Sequence, residues 1–528
     1  MATGVGLGVA MAGVSLPAVH AAATAGGPMA APAWAVNGGN IYNTRYQSAE
    51  TTINTSNVGS LTPKWTVSTG PLTDPNIVRG ISATPTVEGP YVYVPDWSGH
   101  LYKIDAATGK ILWTYKIGTG LNEDTVARTG AAIYKNELII GDQPADFAKP
   151  HLAAHIIAID KMTGKQLWST PADSVNTAII SQSPIVYHGR VYVGVSSNTE
   201  GLAANPNFKD FSFRGSVLSL DAATGKILWR TYTVPMGFNG GPVWNDTAAI
   251  DPKLGLLYVG TGNNYTTPAS VTACQTSGGK NCLPASDHID SILGLDMNSG
   301  AIKWSRRVEG SDAWTGACKT LPSGLANCPK VEGPDADFDS GPNLFTTTIN
   351  GQKRELLGAG QKSGIYWAFD PATGKTVWQT KVGPGGITGG VGHGVSTDGT
   401  RIYVPIVNSE HKPYMLTSGV TTSGGAWSAL DAATGKILWQ TADPMGGQDV
   451  GATTVANGVV FGGSLDAMGH MYALNAATGK ILWTFASGGS IGGGPSVVNG
   501  VVYWGSGYNH QMLGTPNNKF HAFALPGR

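Results

Sequence analysis

Short apolar strands and polar turns alternate along this chain, and each of these units ends in a tryptophan. In every unit an alternating apolar strand leads into a turn that Asp or Asn opens and Gly closes, and a second short strand follows. The seven units are YKIDAATGKILW (ending at Trp113), IAIDKMTGKQLW (Trp168), LSLDAATGKILW (Trp229), LGLDMNSGAIKW (Trp304), WAFDPATGKTVW (Trp378), SALDAATGKILW (Trp439) and YALNAATGKILW (Trp483). The pattern predicts seven β-hairpins.

The spacing of these hairpins predicts how they assemble. Successive tryptophans lie 44 to 75 residues apart. A four-stranded propeller blade occupies roughly 40–50 residues, and longer loops account for the wider intervals. We therefore expect one β-propeller rather than the two to four domains that the length of 528 residues alone would indicate.

The two ends of the sequence predict an eighth blade. The strand 61–65 (LTPKW) carries Trp65 without the turn, and 519–525 (KFHAFAL) reads as the missing partner strand. Pairing them would close the ring and remove the open sheet edge. The fold class is therefore predicted to be all-β, an eight-bladed propeller closed by the N- and C-terminal strands, with the tryptophans packed between neighbouring blades.

Composition supports the all-β prediction. Charged residues make up 13% of the chain, whereas Gly numbers 74 and Trp 15, a balance that suits short strands and tight turns. Lys+Arg and Asp+Glu both number 34, so no overall basic field favours nucleic acid as a partner. No apolar run after the N-terminus approaches the roughly 18 residues of a membrane helix, and we expect no membrane span.

The N-terminal residues 1–25 are small and apolar, and 18–23 (AVHAAA) offers an A-x-A-type cleavage site. The usual positively charged start is missing, so a flexible Ala/Gly-rich tail remains the alternative to a signal peptide. We expect a periplasmic or secreted protein, with residues 26–528 forming a single propeller domain.

Four cysteines lie within one stretch of sequence, which in an exported protein indicates two disulfides. Of the three possible connectivities, we favour the local pairs Cys274–Cys282 and Cys318–Cys328, which close short loops. None of the four occurs in C-x-x-C or C-x-x-C-H, so neither a zinc knuckle nor covalent haem is predicted.

The acidic run 332–341 (EGPDADFDSG) is the strongest chemical signal. Asp335, Asp337 and Asp339 alternate in a nearly neutral chain, and like charges placed together are costly unless a cation offsets them. Asn263, in the GTGN segment after a predicted strand, offers a hard oxygen donor suited to Ca²⁺, although a plain Gly/Asn turn explains it equally simply. Glu200 lies in a polar loop, where a solvated carboxylate is the ordinary explanation.

The repeats and these segments together resemble the quinoprotein alcohol dehydrogenases, which bind pyrroloquinoline quinone (PQQ) in the funnel of an eight-bladed propeller. The resemblance implies that Asp337 is the catalytic base and a metal ligand, and that Glu200 and Asn263 also bind the metal. Asp339 stands where lanthanide-using members carry an extra Asp, so the metal is either Ca²⁺ or a lanthanide; a surface carboxylate is the alternative at Asp339.

The same resemblance implies a set of PQQ-binding residues. Trp244 matches the tryptophan that forms the floor under the quinone, and a flat indole suits a planar tricyclic ring. Arg128 and Lys362 match cations that bind a PQQ carboxylate and a quinone oxygen. Ser197, in the segment that carries Glu200, completes the set.

At two places the sequence differs from the family pattern, and these differences indicate a branch of the family. Known members cover the PQQ ring with a disulfide between adjacent cysteines, whereas Asn122 and Glu123 stand at that place here, and Ser82 replaces a Glu that some members keep. Together with the cysteine-containing loops, these departures resemble the polyvinyl-alcohol dehydrogenase branch. That branch often carries a fused cytochrome c domain, and this sequence has no haem-binding motif.

The resulting functional hypothesis is PQQ-dependent oxidation of a small or polymeric alcohol, with a separate soluble cytochrome c as electron acceptor. A non-catalytic propeller that acts as an interaction scaffold is the alternative from another class, because the repeats alone do not distinguish the two. A third hypothesis is a PQQ enzyme that acts on aldehydes or sugars.

Overall fold

A single side-chain oxygen, from Asp in six turns and from Asn in one, organises each Trp-ended turn. In the first, Asp105 Oδ1 accepts hydrogen bonds from the amides of Ala107 (3.1 Å) and Thr108 (2.8 Å) and from the Thr108 hydroxyl (2.7 Å). Gly109 follows with φ of 75°, a conformation that favours glycine. The same acceptor position is held in the later turns by Asp160, Asp221, Asp296, Asp370, Asp431 and Asn475.

The computed structural model describes Met1 and residues 33–70, 80–120, 124–146, 154–244, 246–319, 326–510 and 513–527. The predicted leader or tail, 1–25, lies outside these ranges apart from Met1, so its role stays a prediction. So do Asn122 and Glu123, and with them the question of what covers the cofactor.

The described strands form eight four-stranded antiparallel sheets, which are the predicted blades. Blade 1 comprises Thr86–Glu88, Tyr91–Asp96, His100–Asp105 and Ile111–Lys116, and blade 2 comprises Ala132–Tyr134, Glu137–Gly141, His155–Asp160 and Gln166–Pro171. Blade 3 comprises Ile185–Tyr187, Arg190–Ser197, Ser216–Asp221 and Ile227–Tyr232, and blade 4 comprises Ala249–Asp251, Leu256–Gly260, Ser291–Asp296 and Ile302–Arg307.

The second half of the ring repeats this plan. Blade 5 comprises Asn343–Ile349, Gln352–Gly360, Ile365–Phe369 and Thr376–Lys381, and blade 6 comprises Ser396–Thr397, Arg401–Ile406, Ala426–Asp431 and Ile437–Ala442. Blade 7 comprises Thr454–Ala456, Val459–Gly463, His470–Asn475 and Ile481–Ala486, and blade 8 comprises Ser496–Val498, Val501–Gly505, Lys519–Ala524 and Thr62–Ser68. The second strand of each blade is mostly buried, whereas the fourth has more exposed positions, as at Ile111–Lys116. The fourth strands therefore form the rim.

Blade 8 joins the two ends of the chain, as predicted. Thr62–Ser68 pairs antiparallel with Lys519–Ala524 over the whole strand. This pairing confirms the eight-bladed ring, in which Thr62–Ser68 is the outer edge strand of blade 8.

The tryptophans of the repeats lock each blade to the next. Trp168 Nε1 of blade 2 donates to the carbonyl of Ala222 in blade 3 at 2.9 Å, and a Cβ added at Gly225 would lie 2.4 Å from the Trp168 ring. Glycine in the turn therefore lets the indole of the preceding blade pack directly on the backbone. Corresponding bonds are made by Trp65, Trp113, Trp229, Trp304, Trp439 and Trp483.

The segment 34–47, called the N-terminal strap, contacts the blades in order around the ring. Backbone bonds at 2.8–3.0 Å join it to the first strands of six blades, and Val36 packs in the same apolar cluster as Ile185 of blade 3. Gln47 Nε2 completes the circuit at the carbonyl of Val497 in blade 8, 2.9 Å away. The six backbone pairs are Trp34 with Val87, Ala35 with Ile133, Ile41 with Ile250, Tyr42 with Leu344, Thr44 with Thr397 and Arg45 with Val455.

Helices are few among the described residues. They comprise the α-helices Thr199–Leu202 and Ala269–Thr276 and the 3-10 turns Val58–Ser60 and Gly316–Lys319. In the described ranges, no helix has the length and apolar character needed to cross a bilayer.

Six further short strands lie outside the four-strand plan among the described residues. Tyr46–Gln47 pairs with blade 7, and Ala178–Ile179 pairs with blade 3. Thr125–Val126 pairs with Gln143–Pro144, and Tyr414–Met415 with Thr421–Thr422.

Both predicted disulfides are present. Cys274–Cys282 has an S–S distance of 2.06 Å and Cys318–Cys328 one of 2.08 Å. The second bond closes the loop that begins in the 3-10 turn Gly316–Lys319.

Candidate active site

The connections between blades converge on a central cavity of about 290 Å³. In an antiparallel four-stranded blade, the link to the next blade and the link between the second and third strands lie at the same end. Both kinds of loop line the cavity, which places side chains from most of the ring around one space. The lining includes Arg128, Glu200, Trp244, Trp314, Lys319, Asp335, Asp339, Lys362, His393, Tyr508 and His510.

Asp337 is held from two sides beside this cavity. Its Oδ1 accepts the backbone amide of Asn263 at 2.8 Å, and its Oδ2 lies 2.8 Å from Lys362 Nζ. Lys362 Nζ also lies 2.8 Å from Asp335 Oδ1. The predicted base, the predicted metal-binding segment and the predicted quinone-binding lysine therefore belong to one buried network.

The two other predicted metal ligands present unused oxygens. Asn263 Nδ2 donates to the carbonyls of Asn264 (2.7 Å) and Trp314 (2.9 Å), while its buried Oδ1 has no hydrogen-bond partner among the described residues. Glu200 Oε1 is likewise buried and unpaired in the described part of the chain. Buried acceptors without donors are costly, and hard oxygens of this kind are the donors that Ca²⁺ and lanthanide ions prefer.

The electrostatics of the site are those of an acidic cluster with too little positive charge. Burial, and then the charge of Asp335, raises the pKa of Glu200. Burial raises the pKa of Asp312 to about 6. Although burial alone would lower it, Asp335 and Asp337 together raise the pKa of Lys362. One ammonium thus faces several carboxylates, and a bound cation would stabilise their charged forms.

Trp244 lines the cavity close to the Asp337 carboxylate. A Cβ added at Gly262 would lie 2.6 Å from Asp337 Oδ1 and 2.8 Å from Trp244 Nε1. The second glycine of the GTGN segment is therefore required by this close approach. The Trp244 Nε1 donor has no partner among the described residues.

Arg128 contributes a second fixed cation. Its guanidinium lies 6.0 Å from the centre of the Trp97 ring, and its carbonyl accepts the Ser82 hydroxyl at 2.8 Å. Trp97 Nε1 also donates to Ser82 Oγ at 2.8 Å. Where some family members keep a Glu, Ser82 therefore supports Trp97 and the Arg128 backbone.

Ser197 and Asp339 each contact a residue outside the predicted set of site residues. Ser197 is fully buried, and its hydroxyl lies 3.0 Å from the Tyr265 hydroxyl rather than on the cavity wall. Asp339 lines the cavity, but its Oδ2 lies 3.0 Å from His393 Nε2. Both assignments stay predictions.

Sequence reasoning missed several residues that line the cavity. His393 lies in the glycine-rich connection GGVGHG between blades 5 and 6, and Trp314 and Lys319 come from the disulfide loop. Tyr508 and His510 come from blade 8. The glycines around His393 were the one available signal, because they indicate close backbone approach around a side chain.

Comparison with known proteins extends these observations. The PQQ family model, described as "Glucose/ethanol/alcohol dehydrogenase, beta-propeller domain", matches residues 34–323, more than half of the chain. The model of the outer membrane protein assembly factor BamB matches two overlapping stretches, 362–487 and 423–515.

Relatives and solved structures agree with the first model. A polyvinylalcohol dehydrogenase of a Pseudomonas species is 29% identical over 94% of this chain and 77% of its own length. That of Sphingopyxis sp. (strain 113P3) is 29% identical over 84% of this chain and 70% of its own.

The fold is shared with the quinohemoprotein alcohol dehydrogenase of Comamonas testosteroni, with a TM-score of 0.69 and 22% identity over 94% of this chain and 81% of that one. A europium-containing methanol dehydrogenase gives a TM-score of 0.70 and 21% identity, over 94% and 98% of the two chains. From the family match, the chain belongs to the PQQ-dependent alcohol dehydrogenase family of β-propeller oxidoreductases.

Proposed function

We propose that this protein oxidises an alcohol, with Asp337 as the base that accepts the hydroxyl proton. One observation carries the proposal: Asp337 is fixed by the Asn263 amide and by Lys362, each at 2.8 Å, beside the unpaired oxygens of Glu200 and Asn263. A carboxylate with both oxygens oriented, next to a metal-competent pair of donors, is the arrangement that base catalysis on a polarised alcohol requires.

The residues present fit both a metal ion and PQQ. Glu200, Asn263 and Asp337 would hold the metal through carboxylate and amide oxygens. Arg128 and Lys362 supply the positive charge that the three carboxylates of PQQ need, and Trp244 supplies a flat surface. When bound, PQQ supplies the quinone that takes up hydride, and the metal supplies Lewis acidity.

The chain's own side chains account for the proton. Lys362 Nζ lies 2.8 Å from Asp337 Oδ2 and orients this carboxylate as the group that receives the proton. The cavity is lined by Trp244 and Trp314, which limit its contact with water. Asp339 faces His393, so we propose Ca²⁺ before a lanthanide as the metal to test first.

The names of the relatives support a proposal for the substrate class. Two of them, at 29% identity, are named polyvinylalcohol dehydrogenases, and we propose that secondary or polymeric alcohols are oxidised here as well. The electron acceptor is proposed to be a separate cytochrome c, and the location the periplasm or the outside of the cell.

Reconstitution tests the proposal. The purified protein is loaded with PQQ and either Ca²⁺ or a light lanthanide, and dye reduction is followed with primary, secondary and polymeric alcohols. We expect turnover with Ca²⁺ and faster turnover with secondary or polymeric than with primary alcohols. Absence of turnover with both metals, despite bound quinone, would reject the enzyme assignment and favour a scaffold.

A further inference from the structure

The connection between blades 6 and 7 contains a second acidic group, outside the central cavity. Asp443 and Asp449 lie on this connection with their carboxyl groups within hydrogen-bonding distance of each other. Asp466, from the second-to-third strand link of blade 7, is close enough to raise the pKa of Asp449 further. We call Asp443, Asp449 and Asp466 the blade 6–7 carboxylates.

Two of these carboxylates have oxygens that no donor reaches. Asp449 is 0% exposed, and neither its Oδ1 nor its Oδ2 has a hydrogen-bond partner among the described residues. Asp443 Oδ1 accepts the Met445 amide, whereas its buried Oδ2 is also unpaired. Three buried acceptor atoms therefore face one another without a proton donor, which is rare in folded proteins.

Among the described residues, no Lys or Arg opposes this charge. Burial, the charge and contact of Asp443 and the charge of Asp466 all raise the pKa of Asp449. The third carboxylate, Asp466, has a base of its own, since its Oδ1 lies 2.9 Å from His470 Nδ1. The central cavity differs, because Lys362 there lies between Asp335 and Asp337.

Two glycines allow the backbone to approach Asp443 and Asp449 closely. A Cβ added at Gly425 would lie 2.8 Å from Asp449 Oδ2, and one at Gly447 would lie 3.1 Å from Asp443 Oδ2. The Gly447 Cβ would also overlap the Ser464 hydroxyl. These two glycines therefore let the backbone approach both carboxylates and the Ser464 hydroxyl, a further oxygen donor.

We propose that Asp443 and Asp449 bind a divalent cation, with Ca²⁺ as the best match, at the junction of blades 6 and 7. Ca²⁺ takes six to eight oxygen ligands in flexible geometry, and carboxylates, a hydroxyl, backbone carbonyls and water can supply them. Two buried like charges in contact are otherwise strongly unfavourable.

A cation here would support the wall of the central cavity. Val450, which follows Asp449, lines the cavity, and its carbonyl accepts the His393 amide at 2.8 Å. Fixing Asp449 therefore fixes the segment against which His393 is held.

A shared proton between Asp443 and Asp449 is the competing explanation, and metal analysis separates the two. The full-length protein is stripped with chelator, re-equilibrated with Ca²⁺ and dialysed, and bound calcium per chain is measured for wild type, Asp449→Asn and Asp443→Asn. We expect each variant to bind one Ca²⁺ fewer than wild type. The measurement is a difference, so it does not depend on whether the central site also binds calcium.

Asp124→Asn is the matched control, because the Asp124 side chain is 82% exposed and the substitution removes the same charge. It should bind as much calcium as wild type. Equal calcium in wild type and Asp449→Asn would overturn the proposal in favour of the shared proton. If Asp449→Asn does not fold, Asp443→Asn decides in the same way, and wild-type protein that holds no calcium after dialysis also overturns it.

Discussion

The ammonium of Lys362 lies 2.8 Å from Asp337 Oδ2 and holds it against the Asn263 amide. The same ammonium contacts Asp335 Oδ1, also at 2.8 Å, so one cation serves two buried carboxylates. Since Asp337 is the proposed base, its orientation depends on Lys362 and on the Asn263 amide. This dependence leads to separate predictions for the carboxylate and for the lysine.

Replacement of the base should remove catalysis and spare the cofactor. In Asp337→Asn we expect kcat for dye-linked alcohol oxidation to fall by about 10²–10⁴-fold, because the amide cannot accept the proton. PQQ should remain bound, as followed by its absorbance. Asp335→Asn, which alters the other partner of Lys362, is the control and should lose far less; unchanged turnover in Asp337→Asn would reject its role.

Removal of the lysine charge should destabilise the fold. Lys362→Met leaves Asp335 and Asp337 buried without their cation, a change that typically costs about 3–5 kcal/mol of unfolding free energy. Urea unfolding measures the loss, and added Ca²⁺ should reduce it. Lys253→Met, which breaks an exposed pair with Glu355, should leave stability nearly unchanged; equal effects at both lysines would contradict the argument.

Local patterns made the fold predictable. An Asp-led turn, a glycine and a tryptophan lie within one hairpin, and each contact between blades repeats that local geometry, as with Trp168 and Gly225. The N-terminal strap was not predicted, because its bonds join 34–47 to blades around the ring, as far as Val497, 450 residues from Gln47, and follow no period. A single sequence contains no local pattern that predicts pairings of this kind.

The candidate site was predictable only in part for the same reason. Glu200, Asn263 and Asp337 were found by resemblance, and the structure brings them together with Lys362. The contact of Asp339 with His393 was missed, since it joins loops of different blades. Asp443 and Asp449 were missed because each alone reads as an ordinary turn carboxylate.

The two disulfides should differ in their effect on the site. Each closes a loop of similar length, so loss of either pair costs about 2–3 kcal/mol in the chain-entropy estimate. Only Cys318–Cys328 anchors the turn Gly316–Lys319, whose end residues line the cavity. Replacing both of these cysteines by Ser should therefore weaken PQQ binding, measured by titration.

The surface pair Cys274–Cys282 provides the control. Cys274 lies in the helix Ala269–Thr276 and Cys282 follows it, and neither cysteine lines the cavity. Its double Ser variant should lose similar stability and keep PQQ affinity. Equal loss of affinity in both double variants would mean that the effect is global.

Asp287 should make stability fall as pH rises. Burial raises its pKa from 3.8 to about 6, so between these values the folded state binds more protons than the unfolded state. Stability is then greatest below the unfolded pKa and decreases through pH 6, by up to about 3 kcal/mol. Asp287→Asn should be more stable than wild type at pH 7.5, and the difference should vanish near pH 4.

Asp105→Asn is the control for this pH dependence. The pKa of Asp105 is lowered by hydrogen bonds from Thr108, so its linkage has the opposite sign. Asn475 holds the same position in the last hairpin, which shows that the turn accepts the amide. Asp105→Asn should give no gain at pH 7.5; a gain there equal to that of Asp287→Asn would remove burial as the cause.

Two of the repeat tryptophans, Trp439 and Trp378, differ by one hydrogen bond and can be compared directly. Trp439 Nε1 donates to the Ala476 carbonyl at 3.1 Å, whereas the buried Trp378 Nε1 has no partner among the described residues. Both indoles pack on a turn glycine of the next blade, Gly479 and Gly435. Trp439→Phe and Trp378→Phe therefore lose similar ring area but differ in the bond that is lost.

We expect Trp439→Phe to lose about 1 kcal/mol more unfolding free energy than Trp378→Phe, the usual net value of one buried hydrogen bond. Replacing Trp378 also removes an unpaired buried donor, which further favours its variant. Thermal unfolding of both proteins in the same buffer measures the difference. If Trp378→Phe is the less stable variant, ring packing rather than the indole hydrogen bond holds the blades together.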